Sequence, residues 1–222
     1  MSELTILLTS YNRPFFVQRT LDSLQAQTCP DWRCIVLDDN SNQETLDVLS
    51  QYTDPRIDVR LHQTTEEERG QKSRYAVLIN EVLPDLDAGI VGYLCDNVEY
   101  DPELVETVLR WFENNPAWFA GYVLHQRDAW DARGIPLGPA SVFGHWDYTP
   151  PEMVALSGNV TGLVDHSQVF HRLPAGVPWC EDITAVRFGD GVFFSRLTNL
   201  HGPIGPILAP DGRALTKEHL FA

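Results

Sequence analysis

Leu4-Thr5-Ile6-Leu7-Leu8-Thr9 is a short apolar run that gives way at once to the polar sequence Ser10-Tyr11-Asn12-Arg13-Pro14. The run is too short for a helix. Consecutive apolar residues predict a strand buried on both faces, as in parallel sheets. Pro14 opens a segment with Val17, Leu21 and Leu24 at helical spacing, and proline is tolerated in a first helical turn. A second run, Arg33-Cys34-Ile35-Val36-Leu37, stops at Asp38-Asp39-Asn40-Ser41. Asn40 or Ser41 is placed to cap a helix through Thr45, Leu46, Val48 and Leu49.

The alternation continues outward. Ile57 to Leu61 alternates apolar and charged residues, as an outer strand does. Tyr75, Leu78, Ile79 and Val82 repeat as one face of a helix, and Ile90-Val91-Gly92-Tyr93-Leu94-Cys95 is a further buried strand. Pro102 starts a helix with Leu104, Val108 and Trp111 on one face. This β-α order predicts an α/β fold: a mainly parallel central sheet with helices on both faces. Ligands of such sheets sit at the carboxyl ends of the strands. Thr9 to Arg13, Asp38-Asp39 and Asp96-Asn97 all fall there, which predicts one cleft with three polar clusters.

The second half is less regular. It is rich in Gly, Pro and aromatic residues from Ala117 to Pro178. Trp118 to Val123 and Val164 to Phe170 read as strands, Gly134 to Pro151 as a loop or hairpin, and Gly191 to Leu200 as a helix. With no linker or internal repeat, this half reads as part of the same domain.

The charge narrows the partners. Lys and Arg number 16 against 31 Asp and Glu, a net charge of -15. Binding to a nucleic acid or an anionic membrane surface is disfavoured, because both need a cationic face. An acidic chain that handles an anionic substrate needs a divalent cation or a few well-placed arginines. No run approaches the length of a membrane-spanning helix and no signal peptide is visible, so a cytoplasmic location is expected. Cys29, Cys34, Cys95 and Cys180 form no C-x-x-C pair and read as reduced, mostly buried thiols.

Each cluster has a plain and a chemical reading. Thr9 to Pro14 is either a turn before a helix or a nucleotide contact, with Tyr11 stacking on a base and Arg13 meeting a phosphate. The chain has neither G-x-G-x-x-G nor G-x-x-x-x-G-K-[ST], so dinucleotide enzymes and P-loop NTPases lack their fingerprint. Asp38-Asp39 either caps the following helix or accepts hydrogen bonds from a base or ribose. Asp96 and the Asn97 amide oxygen are hard ligands that suit Mg²⁺ or Mn²⁺ on a diphosphate, or else an exposed turn. Trp118, Trp130, Trp146, Tyr148 and Trp179 either stack on sugars or pack.

Taken in order, Leu8 to Pro14, Leu21-Asp22-Ser23-Leu24-Gln25-Ala26-Gln27-Thr28 and Val36 to Ser41 resemble the start of a family 2 inverting glycosyltransferase of the GT-A fold. Tyr93-Leu94-Cys95-Asp96-Asn97, followed by Pro102-Glu103-Leu104, resembles that family's D-x-D segment. Gly189-Asp190-Gly191-Val192-Phe193-Phe194-Ser195-Arg196-Leu197 resembles its later acidic and aromatic helix. The likeness covers residues 4 to about 115 well and rests on short pieces beyond.

The resemblance implies a single GT-A, Rossmann-like domain over 1–222. Residues 1–115 form the nucleotide-sugar half; residues 116–222 form the acceptor side and C-terminal tail. Thr9, Tyr11 and Arg13 then line the nucleotide pocket; Asp39, with Asp38 beside it, meets the base; Arg74 lies near the nucleotide. Asp96 holds ribose or metal, with Asn97 and a late histidine, His219 or alternatively His201, completing a Mn²⁺ or Mg²⁺ site. Asn97 departs from the usual carboxylate, and Glu99 is the nearby acid that could compensate. Asp190 is the candidate general base, with Glu181 and Asp182 as rivals. The implied substrates are a nucleotide-diphosphate sugar, UDP-linked by preference, and a glycan or small-molecule acceptor. The alternative is a catalytically weak binding module of the same fold.

Overall fold

The computed structural model describes residues 3–86, 88–130, 136–139, 165–183 and 189–221. The strands are β1 (Leu4–Ser10), β2 (Trp32–Asp38), β3 (Ile57–Leu61), β4 (Ile90–Cys95), β5 (Val98–Tyr100), β6 (Ala120–Val123), β7 (His125–Trp130), β8 (Pro136–Pro139), β9 (Val169–Arg172), β10 (Gly205–Ile207) and β11 (Thr216–Phe221). The helices are α1 (Pro14–Gln25), α2 (Gln43–Leu49), α3 (Glu66–Gln71), α4 (Arg74–Val82), α5 (Leu104–Asn114) and α6 (Gly189–His201). The main sheet runs β10-β6-β9-β4-β1-β2-β3. Pairs β1–β2, β1–β4, β2–β3 and β6–β10 are parallel; β9 runs antiparallel between β4 and β6. The fold is α/β, with a mainly parallel central sheet, as the GT-A resemblance implies.

β1 alternates inside a fully buried strand. Leu4, Ile6 and Leu8 pack with Val17, Leu21 and Leu24 of α1 and with Leu104, Val108 and Phe112 of α5. Leu7 faces the other way, with Ile35 and Leu37, onto Leu78, Ile79 and Val82 of α4 and onto Phe193, Phe194 and Leu197 of α6. Helices therefore cover both faces, as the uninterrupted apolar runs require.

Several local expectations change. The cap of α2 is Asn42, whose side chain accepts from Thr45 N, not Asn40 or Ser41. Those two are used elsewhere: Asn40 Nδ2 donates to Thr64 O, and Ser41 Oγ accepts from Asn12 N. A strand over Val164 to Phe170 gives way to a 3-10 turn at His166–Gln168 and then β9. A second sheet, β5-β11-β7-β8, has no counterpart in the sequence reading. Of the four free cysteines, Cys34 alone is fully buried and the other three are half-buried. The expected loop at 134–151 lies mostly outside the described residues, as do Trp146, Tyr148 and the side chain of Trp130.

β9 stands between two glycines. Phe170 pairs with Gly92 on one side and Gly121 on the other. A Cβ on Gly92 would come within 2.6 Å of the Phe170 ring, so this position accepts no side chain without movement. Its neighbour His171 is fully buried. Its Nδ1 faces the Arg172 carbonyl at 2.7 Å, so Nδ1 carries the proton and Nε2 accepts from Tyr93 Oη at 2.7 Å. Burial pushes its pKa down to about 4.

A buried neutral histidine sets a pH dependence. Its folded pKa lies below the unfolded value, so its contribution is present above about pH 6.5 and is lost as pH falls towards 4. Urea unfolding of the wild type is expected to lose on the order of 3 kcal/mol from this source between those limits. His171→Gln removes that component of the slope. An identical acid slope in the variant counts against it. Gly92→Ala is expected to cost about 1–3 kcal/mol in the same measurement, through overpacking against Phe170; an unchanged midpoint would contradict this.

Candidate active site

The carboxyl ends of β1, β2 and β4 lie side by side because of their register. Ser10 pairs with Asp38, and Thr9 with Cys95. The chain order runs outward from β1 to β2 and β3 and returns to β4 on the other side of β1, so the crossover opens a crevice beside Ser10 and Cys95. The loop after β1 turns at Asn12 and the loop after β2 at Asn40, both at positive φ (52° and 62°), which asparagine tolerates. The loops are stitched together: Asn12 N donates to Ser41 Oγ, and Asn42 N donates to Asn12 Oδ1.

The two aspartates after β2 separate. Asp38 turns inward and accepts from Ser41 N at 2.9 Å within the loop before α2, and it is not among the residues lining the cleft. Asp39 faces the cleft and is almost fully buried. It accepts from Arg69 Nη1, from Arg74 Nε at 3.1 Å and from Thr64 Oγ1. Arg74 also donates to Thr64 Oγ1 at 2.8 Å. Arg74 is therefore no ordinary solvated helix charge. The Arg69 guanidinium lies 3.7 Å from the centroid of the Tyr11 ring, a cation–π stack that covers one face of it.

Asp96 closes the opposite side. Its carboxylate accepts from Tyr11 N and from Arg13 Nη1, both at 3.0 Å. Burial raises its pKa; Arg13 and the Tyr11 amide oppose this, and Asp38 adds to it. A buried carboxylate held above its ordinary pKa, with a second acid nearby, gains from a cation. This end of the cleft thus fits a divalent cation brought with a diphosphate.

The other expected ligands turn elsewhere. Asn97 Nδ2 donates to the His219 carbonyl at 3.0 Å, and His219 N donates to Asn97 O at 2.8 Å. His219 Nε2 pairs with Glu99 Oε1 at 2.6 Å, and Glu99 also takes Arg19 Nε. These contacts join the cleft strand to the second sheet, and neither Asn97, Glu99 nor His219 lines the cleft. His201 sits at the far end of α6 from Asp190, bonded to Ala175 O and stacked on Phe119 at 3.5 Å. The structure does not bring these residues to Asp96 as a ligand set.

Asp190, in the first turn of α6, meets the cleft wall. Tyr75 Oη lies 3.5 Å from its Oδ1, and His166 Nδ1 lies 3.1 Å from its Oδ2. His166 Nε2 reaches Cys95 Sγ at 2.9 Å, and both Tyr75 and Cys95 line the cleft. The rival acids differ. Glu181 is engaged by Lys72 Nζ at 2.7 Å and Asn80 Nδ2 at 3.0 Å, which hold its pKa low. Asp182 bridges Lys72 through its backbone and is exposed. Trp179 is buried and stacked on Phe193 at 4.2 Å, and Trp118 packs on Trp111, so both pack rather than face the cleft.

The resulting cleft has a volume of about 380 Å³ and is lined by Thr9, Tyr11, Arg13, Asp39, Arg74 and Asp96 among others. Arg69 and Lys72 join Arg13 and Arg74 there, so four cations converge in a chain of net charge -15. Sequence reasoning missed Arg69, Tyr75, Cys95 and His166. Arg69 follows three glutamates and reads as a solvated helix charge. The capping box between Thr65 and Glu68 fixes α3 where Arg69 reaches Asp39.

A GT-A sheet with a cation-lined cleft at its switch point defines the class of nucleotide-sugar transferase folds. The model of the glycosyl transferase family 2 matches residues 5–175, and the chain belongs to that family. Protein CgeD of Bacillus subtilis (strain 168) is 30% identical over 206 residues, 89% of this chain and 46% of CgeD. S. aureus TarS 1-349, solved in complex with UDP, superposes with a TM-score of 0.67 at 15% identity, over 98% of this chain and 60% of that one. The mannosyltransferase PcManGT from Pyrobaculum calidifontis, solved with GDP-Man and Mn2+, gives 0.63 at 16% identity, over 98% of this chain and 56% of that one. At those identities the likeness shows the fold. The chain spans about half the length of CgeD and under two thirds of the two solved chains.

The Asp39 cluster yields a stability test. Asp39→Ala leaves Arg69 and Arg74 without their shared carboxylate and is expected to cost about 1–3 kcal/mol in urea unfolding. An unchanged midpoint would show that Asp39 does not hold the two arginines.

Proposed function

We propose that this chain is a single GT-A domain catalysing inverting glycosyl transfer from a nucleotide-diphosphate sugar, UDP-linked by preference, to a hydroxyl of a glycan or small-molecule acceptor. Residues 1–115 take the donor, and the acceptor approaches from 116–222. The observation that carries this reading is the convergence of Asp39, Asp96 and four cations on one cleft, with Asp190 joined to its wall through Tyr75. Family membership and the nucleotide complexes of TarS and PcManGT support it.

Tyr11, 36% exposed, offers the base the ring face that Arg69 leaves uncovered, and Asp39, oriented by Arg69 and Arg74, accepts a hydrogen bond from it. Arg13 is 43% exposed at its side chain and, with Lys72, can meet the diphosphate. Asp96 would hold a divalent cation with the diphosphate, which supplies charge neutralisation to the leaving group. Asp190 removes the acceptor hydroxyl proton through Oδ1 as that oxygen bonds to the anomeric carbon. The bond from that carbon to the diphosphate oxygen breaks on the opposite face, and its electron pair leaves with the nucleoside diphosphate.

UDP release from UDP-glucose, UDP-galactose and their N-acetyl forms, with and without Mn²⁺ and a broad acceptor panel, tests the activity. Asp96→Ala is expected to abolish metal-stimulated release. Asp190→Asn is expected to lower turnover by about 10²–10⁴-fold while UDP affinity changes by less than about twofold. Near-wild-type turnover in Asp190→Asn overturns the base. UDP binding without turnover under any metal overturns the transferase reading in favour of a binding module.

A further inference from the structure

The wall behind Asp190 holds a buried polar group that the reaction above does not use. His166 lies in the 3-10 turn His166–Gln168, which is closed by a reciprocal cap: Asp165 accepts from Ser167 N at 2.9 Å, and Asp165 N donates to Gln168 Oε1 at 2.8 Å. The turn therefore presents both its backbone amide and its imidazole in fixed directions. His166 N lies 3.2 Å, and His166 Nδ1 3.1 Å, from the same oxygen of Asp190, Oδ2. On the other side of the ring, Nε2 meets Cys95 Sγ at 2.9 Å, directly before Asp96 in the chain. The ring stacks nearly parallel on Tyr75 at 5.9 Å and meets the edge of Trp179 at 6.1 Å.

We propose that His166 is a positioning residue for Asp190: its amide and imidazole clamp Oδ2, so that Oδ1 alone is presented beside Tyr75 to take the acceptor proton. This rests on the reading of Asp190 as the base. A carboxylate with one contact rotates about its Cβ–Cγ bond; two N–H donors on one oxygen fix the plane and leave the other oxygen available. A charged imidazolium makes this hydrogen bond roughly twice as strong as a neutral donor does.

The groups facing His166 are Cys95 from β4, Asp190 from α6, Tyr75 from α4 and Asp165 from its own turn. Burial alone would lower its pKa; the Cys95 sulfur that meets Nε2 and the Asp190 and Asp165 carboxylates favour the protonated ring, and the net direction is well above the ordinary imidazole value. Burial keeps the Cys95 thiol protonated beyond its usual range. Asp165, Asp190 and His166 could also be read as a metal cluster, since their ligand atoms lie within 4.8 Å of one another. The contacts favour the clamp, because Asp165 Oδ1 is engaged by Ser167 and His166 Nδ1 is in direct hydrogen-bond contact with Asp190.

Histidine-ring NMR titration of the full chain tests the clamp without requiring turnover. His166→Asn identifies the His166 signal among the seven histidines. That signal is expected to titrate above pH 6.5 in the wild type and to fall by about one unit or more in Asp190→Asn. No shift in Asp190→Asn overturns the pairing. Loss of the wild-type titration on adding Mg²⁺ or Zn²⁺ overturns the clamp in favour of a metal site. In the UDP-release assay, His166→Ala is expected to lower kcat about 10–100-fold with UDP affinity changed by less than about twofold. His166→Asn, which keeps a donor near the Nδ1 position, is expected to recover part of the loss. It should also lack the alkaline fall in rate that the wild type shows as the imidazolium deprotonates. Wild-type kcat in His166→Ala, or the same alkaline fall in His166→Asn, overturns the positioning role. Full activity in Asp190→Asn instead refutes the base, whether or not the NMR coupling is seen.

Discussion

The parallel register of β1 with its two neighbours is the constraint on which the site depends. Ser10 against Asp38 and Thr9 against Cys95 bring three polar chain segments to one edge of a sheet whose inner strands are buried on both faces. A slip of one residue would turn Leu7 towards α1 and Ile6 and Leu8 towards α4, exchanging the two cores. Packing energy thus fixes the register, and the register fixes the cleft. Asp39 and Asp96 are carried on loops whose ends are held by the most deeply buried strands of the molecule. This is how a rigid sheet positions groups that must meet a substrate.

Electrostatics are organised locally against the net charge. The chain carries -15, yet Arg13, Arg69, Lys72 and Arg74 share one cleft with Asp39 and Asp96. The arginines are held by those two carboxylates, so they are ordered without any ligand. Asp39 orders two of them at once, together with Thr64. Pre-ordering lowers the entropy lost when an anion arrives. The acidic total gives the cations their partners, and the cleft remains a cation-lined recess in an acidic surface.

The parts of this arrangement legible in the sequence are those set by local pattern. Leu4–Ser10, Trp32–Asp38, Ile57–Leu61 and Ile90–Cys95 announce themselves as short apolar or alternating runs, and Pro14 and Pro102 mark helix starts. Thr9, Tyr11, Arg13, Asp39 and Asp96 follow from strand ends in such a sheet, and Arg74 from the family resemblance. What the sequence hides is set by distant pairing. β9 has only four residues and earns its place by fitting Phe170 against Gly92 and Gly121. The second sheet depends on β11 finding β5 and β7 from the far end of the chain. His166 is 24 residues from Asp190 and 71 from Cys95, so no spacing rule reveals it. The Asn97 and His219 contacts are equally non-local, which is why the ligand set implied by the resemblance is not brought together at Asp96.

The end of β4 shows how the long-range contacts combine. Cys95, Asp96 and Asn97 are consecutive, and each serves a different neighbour. Cys95 meets His166 and through it Asp190; Asp96 meets Tyr11 and Arg13 of the β1 loop; Asn97 meets His219 of the second sheet. β4 ends at Cys95 and Asp96-Asn97 form the turn into β5, so three adjacent residues can address three directions. Asp96 is thereby held from both sides along the backbone, by the α6 wall at one neighbour and by the second sheet at the other. An amide at Asn97, where the family's pattern has a carboxylate, is consistent with that division. An Asn side chain can donate to the His219 carbonyl, which an ionised carboxylate cannot. The residue that departs from the family's pattern is therefore used to join the two sheets, and the charge at this end of the cleft rests on Asp96.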